Sequence, residues 1–314
     1  MKALVFTEPG VVEYLDVPEP EARDGETIVT VMSSAICGSE LHGFRSSGFR
    51  VPPLIMGHEF AGLTPDGRRV VVNPLLSCGH CDACLRNAPH VCRTRALIGV
   101  NRDGGFAERV SVPDSALHFL PDGLAWSAAS LVEPLANAVH ANGLLGNHVE
   151  RVGIIGAGPI GLLCALVAAH HGHDVMISDT SVERQDTAHS LGLRSSNELD
   201  GEFDVIIDAV GLPVSRQAAV AGIRPGGTAV WIGLAVDNVE LSGNSMVREE
   251  KHISGSFAYT AKEFEAAIEL ATQLDLSWTT DVTLSASAEA FLALACGERS
   301  MVKAVIVPDS EVHE

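Results

Sequence analysis

Apolar residues in the first third of the chain fall in short β-branched blocks. "ETIVTVMSSAI" (residues 26–36) and "RRVVVNPL" (68–75) are bounded by Gly, Asp and Pro and predict strands. "TPDGRR" carries Asp66-Gly67, a hairpin-turn pair. From about residue 152 the pattern changes. "RVGIIG", "DVMISD", "FDVIIDAVG" and "GTAVWIG" are continuous apolar runs of the buried-strand kind. Helical stretches lie between them, at Pro159–His171 and near 181–191 and 213–222. The first has Pro near its first turn and Gly172 just past its end. Strands alternating with helices predict a parallel, doubly wound sheet. After about residue 260, "AKEFEAAIELATQL" has helical spacing and "MVKAVIVP" reads as a strand.

Val152–Ala169 runs 18 residues without a charge, the length of a membrane span. It also contains Gly153, Gly156, Gly158, Pro159 and Gly161, so it reads as strand, glycine turn and helix. The apolar run before Thr7 is too short for a secretory signal, and a cytoplasmic location is expected. With 314 residues, the chain is long enough for two domains. Its 40 acidic and 21 basic residues give a net charge of −19, which disfavours nucleic acid and anionic lipid as partners.

"GIIGAGPIG" sets Gly156, Gly158 and Gly161 directly after a strand and at the opening of a helix. That context suits a dinucleotide: a tight turn, close approach to a pyrophosphate, and a helix N-terminus facing phosphate. Pro159 and Ile160 lie in the same turn. Asp179, at the end of the second strand, stands where an acidic residue bonds a ribose 2′-hydroxyl and repels a 2′-phosphate. NAD(H) is therefore expected over NADP. Arg184 is a neighbour of this site and reads as a solvated helix residue rather than a phosphate clamp.

Of seven cysteines, Cys78, Cys81, Cys84 and Cys92 crowd into "CGHCDACLRNAPHVC". Four thiolates at that spacing can close a tetrahedral Zn²⁺ site with no open position, a structural site. An iron–sulfur cluster or unligated thiols are the alternatives. His80 and His90 within the loop read as surface residues. Cys37, His58, Glu59 and Glu133 add a thiol, an imidazole and two carboxylates far apart in sequence, and spacing alone does not bring them together.

"CGSELH", "GHEFAG", the four-cysteine loop, "EPLA" and "GAGPIG" together resemble the zinc-dependent medium-chain dehydrogenase/reductase (alcohol dehydrogenase) family, in its sorbitol, threonine and polyol branch. The resemblance implies an α/β fold: a GroES-like β-rich catalytic domain (1–122, zinc lobe about 74–95), a Rossmann NAD-binding domain (123–260), and a C-terminal segment (261–314) completing the catalytic domain. It implies a catalytic zinc at Cys37 and His58, with Glu59 and Glu133 as ligands or holders of its water. It implies Ser39 as the hydroxyl accepting the alcohol proton and His42 as the relay toward solvent. Glu40 stands where aspartate is commoner and is read as a conservative change. Two zincs per chain, a small-molecule alcohol or ketone as partner, and a homodimer or homotetramer follow as expectations. Val210, Gly211, Gly233 and Leu234 are expected to border the nicotinamide half of the cofactor. Phe44, Arg45, Phe257 and Tyr259 are weaker pocket candidates. Cys164 and Cys296 read as core thiols, and His140, His170, His171, His173 and His189 as helix-surface residues.

The chain departs from the resemblance in two places. The connection after "GHEFAG" is cut to "LTPDGRRV", and a helix-sized segment before "FDVIIDAVG" is reduced to "NELDGE". The expected activity is interconversion of a secondary alcohol (polyol, sugar-derived or cyclitol) and its ketone. The alternatives are internal redox with tightly held NAD, as in a dismutase or epimerase, and a non-enzymatic NAD sensor.

Overall fold

The computed structural model describes residues 1–46, 48–298 and 301–309. They form two compact units, Met1–Glu133 with Phe264–Glu314, and Pro134–Glu263.

The first unit opens with β1 (Lys2–Glu8), β2 (Val11–Asp16) and β3 (Glu26–Ala35), followed by helix α1 (Gly38–Gly43). Then come β4 (Leu54–Ile55), β5 (Glu59–Leu63) and β6 (Arg69–Val72). The shortened connection after "GHEFAG" is thus a direct β5–β6 hairpin, closed by Gly67 donating to the Thr64 carbonyl at 2.8 Å. The cysteine lobe carries β7 (Leu75–Leu76), the four-residue α2 (Asp82–Leu85), a 3-10 turn at Pro89–Val91 and β8 (Ala96–Leu97). β9 (Arg109–Pro113), β10 (Leu117–Phe119) and α3 (Trp126–Ser130) complete this part. α4 (Val132–Gly143) leads into the second unit.

The second unit holds the parallel strands β11 (Arg151–Ile155), β12 (Asp174–Ser178), β13 (Arg194–Ser196), β14 (Phe203–Asp208), β15 (Ile223–Trp231) and β16 (His252–Gly255). Their order is β13-β12-β11-β14-β15-β16, the doubly wound arrangement. Helices α5 (Pro159–His170), α6 (Val182–Ser190), α7 (Pro213–Gly222) and α8 (Gly243–Arg248) connect them. The apolar run that resembles a membrane span is β11, a turn and α5, with Gly161–Ala168 buried. Among the described residues no helix is long and apolar enough to cross a membrane. No helix joins β13 to β14: residues 197–202 cross directly, and Ile155, Met176 and Leu199 stay only partly buried. A cavity of about 500 Å³ lies there, lined by Leu199, Ile206, Val210 and Leu212, with Asp179 and Arg184 in its wall.

The chain then returns to the first unit through α9 (Ala261–Ala271), β17 (Thr280–Thr283), α10 (Ser287–Ala295) and β18 (Ala304–Val307). β18 joins the main sheet beside β3, in the order β10-β6-β5-β3-β18-β17. Leu4, Phe6, Met56, Phe106 and Phe291 fill one core of this unit, and Val29, Phe60, Val70, Ile98 and Val110 another. α4, α8, α10 and β16 have no clear signature in the apolar pattern; β16 is a largely exposed edge strand defined by its pairing with β15. Cys164 is buried as expected. Cys296 is not a core thiol: it lies exposed at the end of α10.

Glu26, at the start of β3, bonds Arg102 at 2.8 Å and accepts from Ser111 Oγ at 2.8 Å. The Arg102 and Ser111 contacts hold its carboxyl down to about 2, below the ordinary 4.5. A depressed carboxylate stabilises the fold above the unfolded value and loses that contribution as pH falls. Glu26→Gln is therefore expected to cost about 1–2 kcal/mol at neutral pH. It should also flatten the fall in stability between the unfolded value and about 2, as read by urea unfolding across pH.

Candidate active site

Strand register brings the dispersed residues together. β3 pairs antiparallel with β5, Ala35 opposite Glu59. On its other side β3 pairs with β18, Ala35 opposite Val305. Both neighbours therefore meet β3 at its C-terminal end. Cys37 follows that end as the N-cap of α1, His58 immediately precedes β5, and Lys303 immediately precedes β18. Gly57 turns the chain ahead of His58 at φ +94°, and a Cβ there would lie 2.7 Å from the Phe106 backbone nitrogen. Ligand atoms of Cys37, His58 and Glu59 all fall within 4.8 Å of one another. A thiol, an imidazole and a carboxylate in one cluster form a donor set that suits Zn²⁺ with a position left open.

Glu40 orients this cluster, a role the sequence reading missed. It is fully buried; Oε2 accepts from the Cys37 N–H, and Oε1 accepts from the Gly57 N–H and meets His58 Nδ1, each at 2.9 Å. Fixing Nδ1 in this way leaves Nε2 as the ring nitrogen that could ligate a metal. Burial alone would raise the carboxyl of Glu40, but His58, Arg50 and the Cys37 N–H hold it below its usual range. Burial would likewise lower His58, yet Glu40 and Cys37 push it well above the ordinary value. Lys303 was also missed. It is buried and forms an ion pair with Glu59, which together with Cys37 and Glu40 raises its pKa against the effect of burial. Its sequence signal is a lysine at the head of the apolar strand "AVIV": a buried lysine needs a counter-charge.

Ser39 and His42 are exposed on α1, three residues apart and so on one helix face. Glu133 is buried in the first turn of α4 and lies outside the set formed by Cys37, His58 and Glu59. Phe44 is buried against Phe291, ring centroids 5.2 Å apart, and Tyr259 is buried. Arg45 is exposed and donates to the Ala295 carbonyl at 2.6 Å.

In the lobe, the sulfurs of Cys78, Cys81, Cys84 and Cys92 lie 3.5–3.9 Å apart in the four pairs Cys78–Cys84, Cys81–Cys84, Cys81–Cys92 and Cys78–Cys92. Four sulfurs about 2.3 Å from a tetrahedral zinc would be about 3.8 Å apart, so the cluster fits that ion. The His80 N–H, the Thr94 hydroxyl and the Cys81 N–H draw the Cys78 thiol down to about 5. His80 is exposed and His90 half-buried; neither joins the four sulfurs.

The glycine turn of the second unit is built as a dinucleotide requires. Gly156 has φ +97°, and a Cβ on Gly161 would lie 1.7 Å from the Gly156 carbonyl oxygen. Above Gly158 the space is open: a Cβ there would meet only Arg184 Nη1, at 4.0 Å. Pro159 and Ile160 open α5 beside that space. Asp179 accepts from the Ala157 N–H at 2.8 Å and the Ser181 N–H at 2.9 Å, which fixes its carboxylate beside the turn. Arg184 Nη1 is 3.5 Å from Asp179. Val210 lines the same cavity, and Gly233 packs against Gly211 after the next strand.

Comparisons with known proteins show the family. A family model described as the alcohol dehydrogenase GroES-like domain matches residues 23–122, and one described as zinc-binding dehydrogenase matches 159–273. L-threonine 3-dehydrogenase of Streptomyces coelicolor is 34% identical over 291 residues, 82% of this chain and 84% of that protein. A structure described as a zinc-binding dehydrogenase of Sinorhizobium meliloti 1021 bound to NADP has a TM-score of 0.92 at 26% identity, covering 98% of this chain and 99% of its own. (2R,3R)-butanediol dehydrogenase of Bacillus subtilis gives 0.89 at 27% identity, over 98% and 99% of the two chains.

Proposed function

The chain belongs to the zinc-dependent medium-chain dehydrogenase/reductase family and is an alcohol or polyol oxidoreductase; from that premise we propose that it interconverts a secondary alcohol of polyol, sugar-derived or cyclitol type and its ketone, using NAD(H). The observation that carries the reading is the meeting of Cys37, His58 and Glu59 at the end of β3. Cys37, His58 and Glu59 would hold the catalytic zinc, with Glu133 a further candidate, and Cys78, Cys81, Cys84 and Cys92 would hold a structural one. When bound, zinc would supply Lewis acidity toward the alcohol oxygen and NAD would supply a hydride acceptor.

The chain's own groups do the rest. Glu40 sets the His58 ring, and Lys303 offsets the charge of Glu59. Ser39 takes the alcohol proton and His42, exposed on the same helix face, passes it to solvent. Asp179 bonds the ribose and rejects a 2′-phosphate, which favours NAD although a similar protein carries NADP. Asp179→Ala is expected to raise the NADP-to-NAD ratio of kcat/KM about 30–100-fold, because a like charge is removed and Arg184 is freed.

The reading is tested with a panel of L-threonine, (2R,3R)-butanediol, sorbitol, ribitol and myo-inositol. NADH formation is followed by absorbance before and after zinc is stripped with a chelator. Turnover of at least one alcohol that vanishes on stripping and returns with Zn²⁺ supports it. No turnover, or equal rates without zinc, refutes it.

A further inference from the structure

Arg50 is among the largest fully buried side chains; its charge helps hold the Glu40 carboxyl below its usual range, and no role above uses its hydrogen bonds. Nη1 donates to the Ser39 carbonyl at 2.9 Å and Nη2 to Ser39 Oγ at 3.3 Å. Nε has no hydrogen-bond partner among the described residues. Gly43, at the end of α1, leaves room for the guanidinium: a Cβ there would lie 2.5 Å from Nη1. Burying a guanidinium is costly, and a buried charge is weak support for stability. Among the described residues both of its hydrogen bonds nevertheless go to one residue, an exposed serine two positions after Cys37.

We propose that Arg50 is a positioning residue for proton transfer, holding Ser39 in one rotamer and giving its hydroxyl a single direction in which to pass a proton on. This rests on the relay role proposed above for Ser39. A serine hydroxyl has one proton and two lone pairs. Nη2 occupies one lone pair from the buried side. The other remains for the alcohol proton, and the serine's own proton must leave in the third direction. In the forward step the alcohol O–H bond breaks as a new Oγ–H bond forms. The original serine proton departs toward His42, so one proton crosses and the hydroxyl is regenerated. A guanidinium suits this task because it stays protonated in proteins and cannot intercept the proton.

The test is a double-mutant cycle on zinc-loaded protein, using the fastest alcohol of the panel. Arg50→Gln is expected to lower kcat about 10–100-fold with KM within about threefold, and to raise the solvent deuterium isotope effect. Arg50→Lys should restore part of the rate. On a Ser39→Ala background, Arg50→Gln should add nothing, since it acts through the missing hydroxyl. Gly43→Ala crowds Nη1 while favouring the helix, so it should reproduce part of the loss without weakening α1. A readout independent of turnover is NMR of arginine-labelled protein free of metal and cofactor. Slowly exchanging Arg50 Nη protons are expected, and Gly43→Ala should abolish them. Equal losses from Arg50→Gln on both backgrounds, no loss on either, or fast exchange in the unsubstituted protein would overturn the inference. Full activity of Ser39→Ala is a different failure: it removes the relay role itself, and this inference with it.

Discussion

Cys37→Ala and His58→Ala are each expected to lower bound zinc from two equivalents to one and to cut alcohol oxidation by about 10³-fold or more. The metal count and the rate should fall together. Cys37, His58 and Glu59 form one candidate ligand cluster, and the four-cysteine set shares none of them. A Lewis acid contributes several kcal/mol of transition-state charge stabilisation, which sets the size of the loss. NAD binding, followed by fluorescence quenching, should change little, because the glycine turn and Asp179 belong to the other unit. Metal analysis together with steady-state rates checks the prediction. Retention of both zincs and full activity in Cys37→Ala would remove the proposed mechanism and leave a nucleotide-binding fold with its chemistry open.

Cys92→Ser should act on stability instead. The lobe between β7 and β8 has little else to hold it. Its helix α2 is four residues long, and within residues 78–92 only Ala83 and Cys92 are buried. Small zinc sites contribute on the order of 10 kcal/mol to the folding of such segments. Losing one thiolate should therefore release the lobe and the second zinc, and lower the melting temperature by about 10 °C or more. Limited proteolysis should cut first within residues 78–92. Hydrogen exchange at the β3–β5 ladder, which carries Cys37 and His58 at its end, should stay slow. Unchanged melting and an intact lobe would mean that the four sulfurs do not hold a metal that matters to the fold.

The residues explain how much of this was legible beforehand. The Gly156–Gly161 turn, Asp179 and the four cysteines act within short spans, so spacing displays their chemistry directly. The doubly wound sheet was legible for the same reason, since each buried strand and each helix carries its own apolar pattern. Glu40 and Lys303 were harder. Glu40 reads only as a conservative change from aspartate, and its bond from the Cys37 N–H is local. Its second task, holding His58, appears only when β5 lies beside β3. Lys303 sits 244 positions after Glu59 in the chain and meets it because β18 takes the other side of β3. Arg50 follows the same logic, since nothing in "GFRVPP" announces a buried guanidinium.

The sequence by itself determined the fold class, the glycine turn with its acidic partner, and the thiol cluster, all features whose physics is local. The resemblance pointed to Cys37, His58 and Glu59; only the tertiary structure showed that they meet and that Glu40, Lys303 and Arg50 surround them. Antiparallel register converts distant positions into neighbours: pairing Ala35 with Glu59 on one side and with Val305 on the other fixes that cluster, and a slip of one residue would turn its side chains to the opposite face of the sheet.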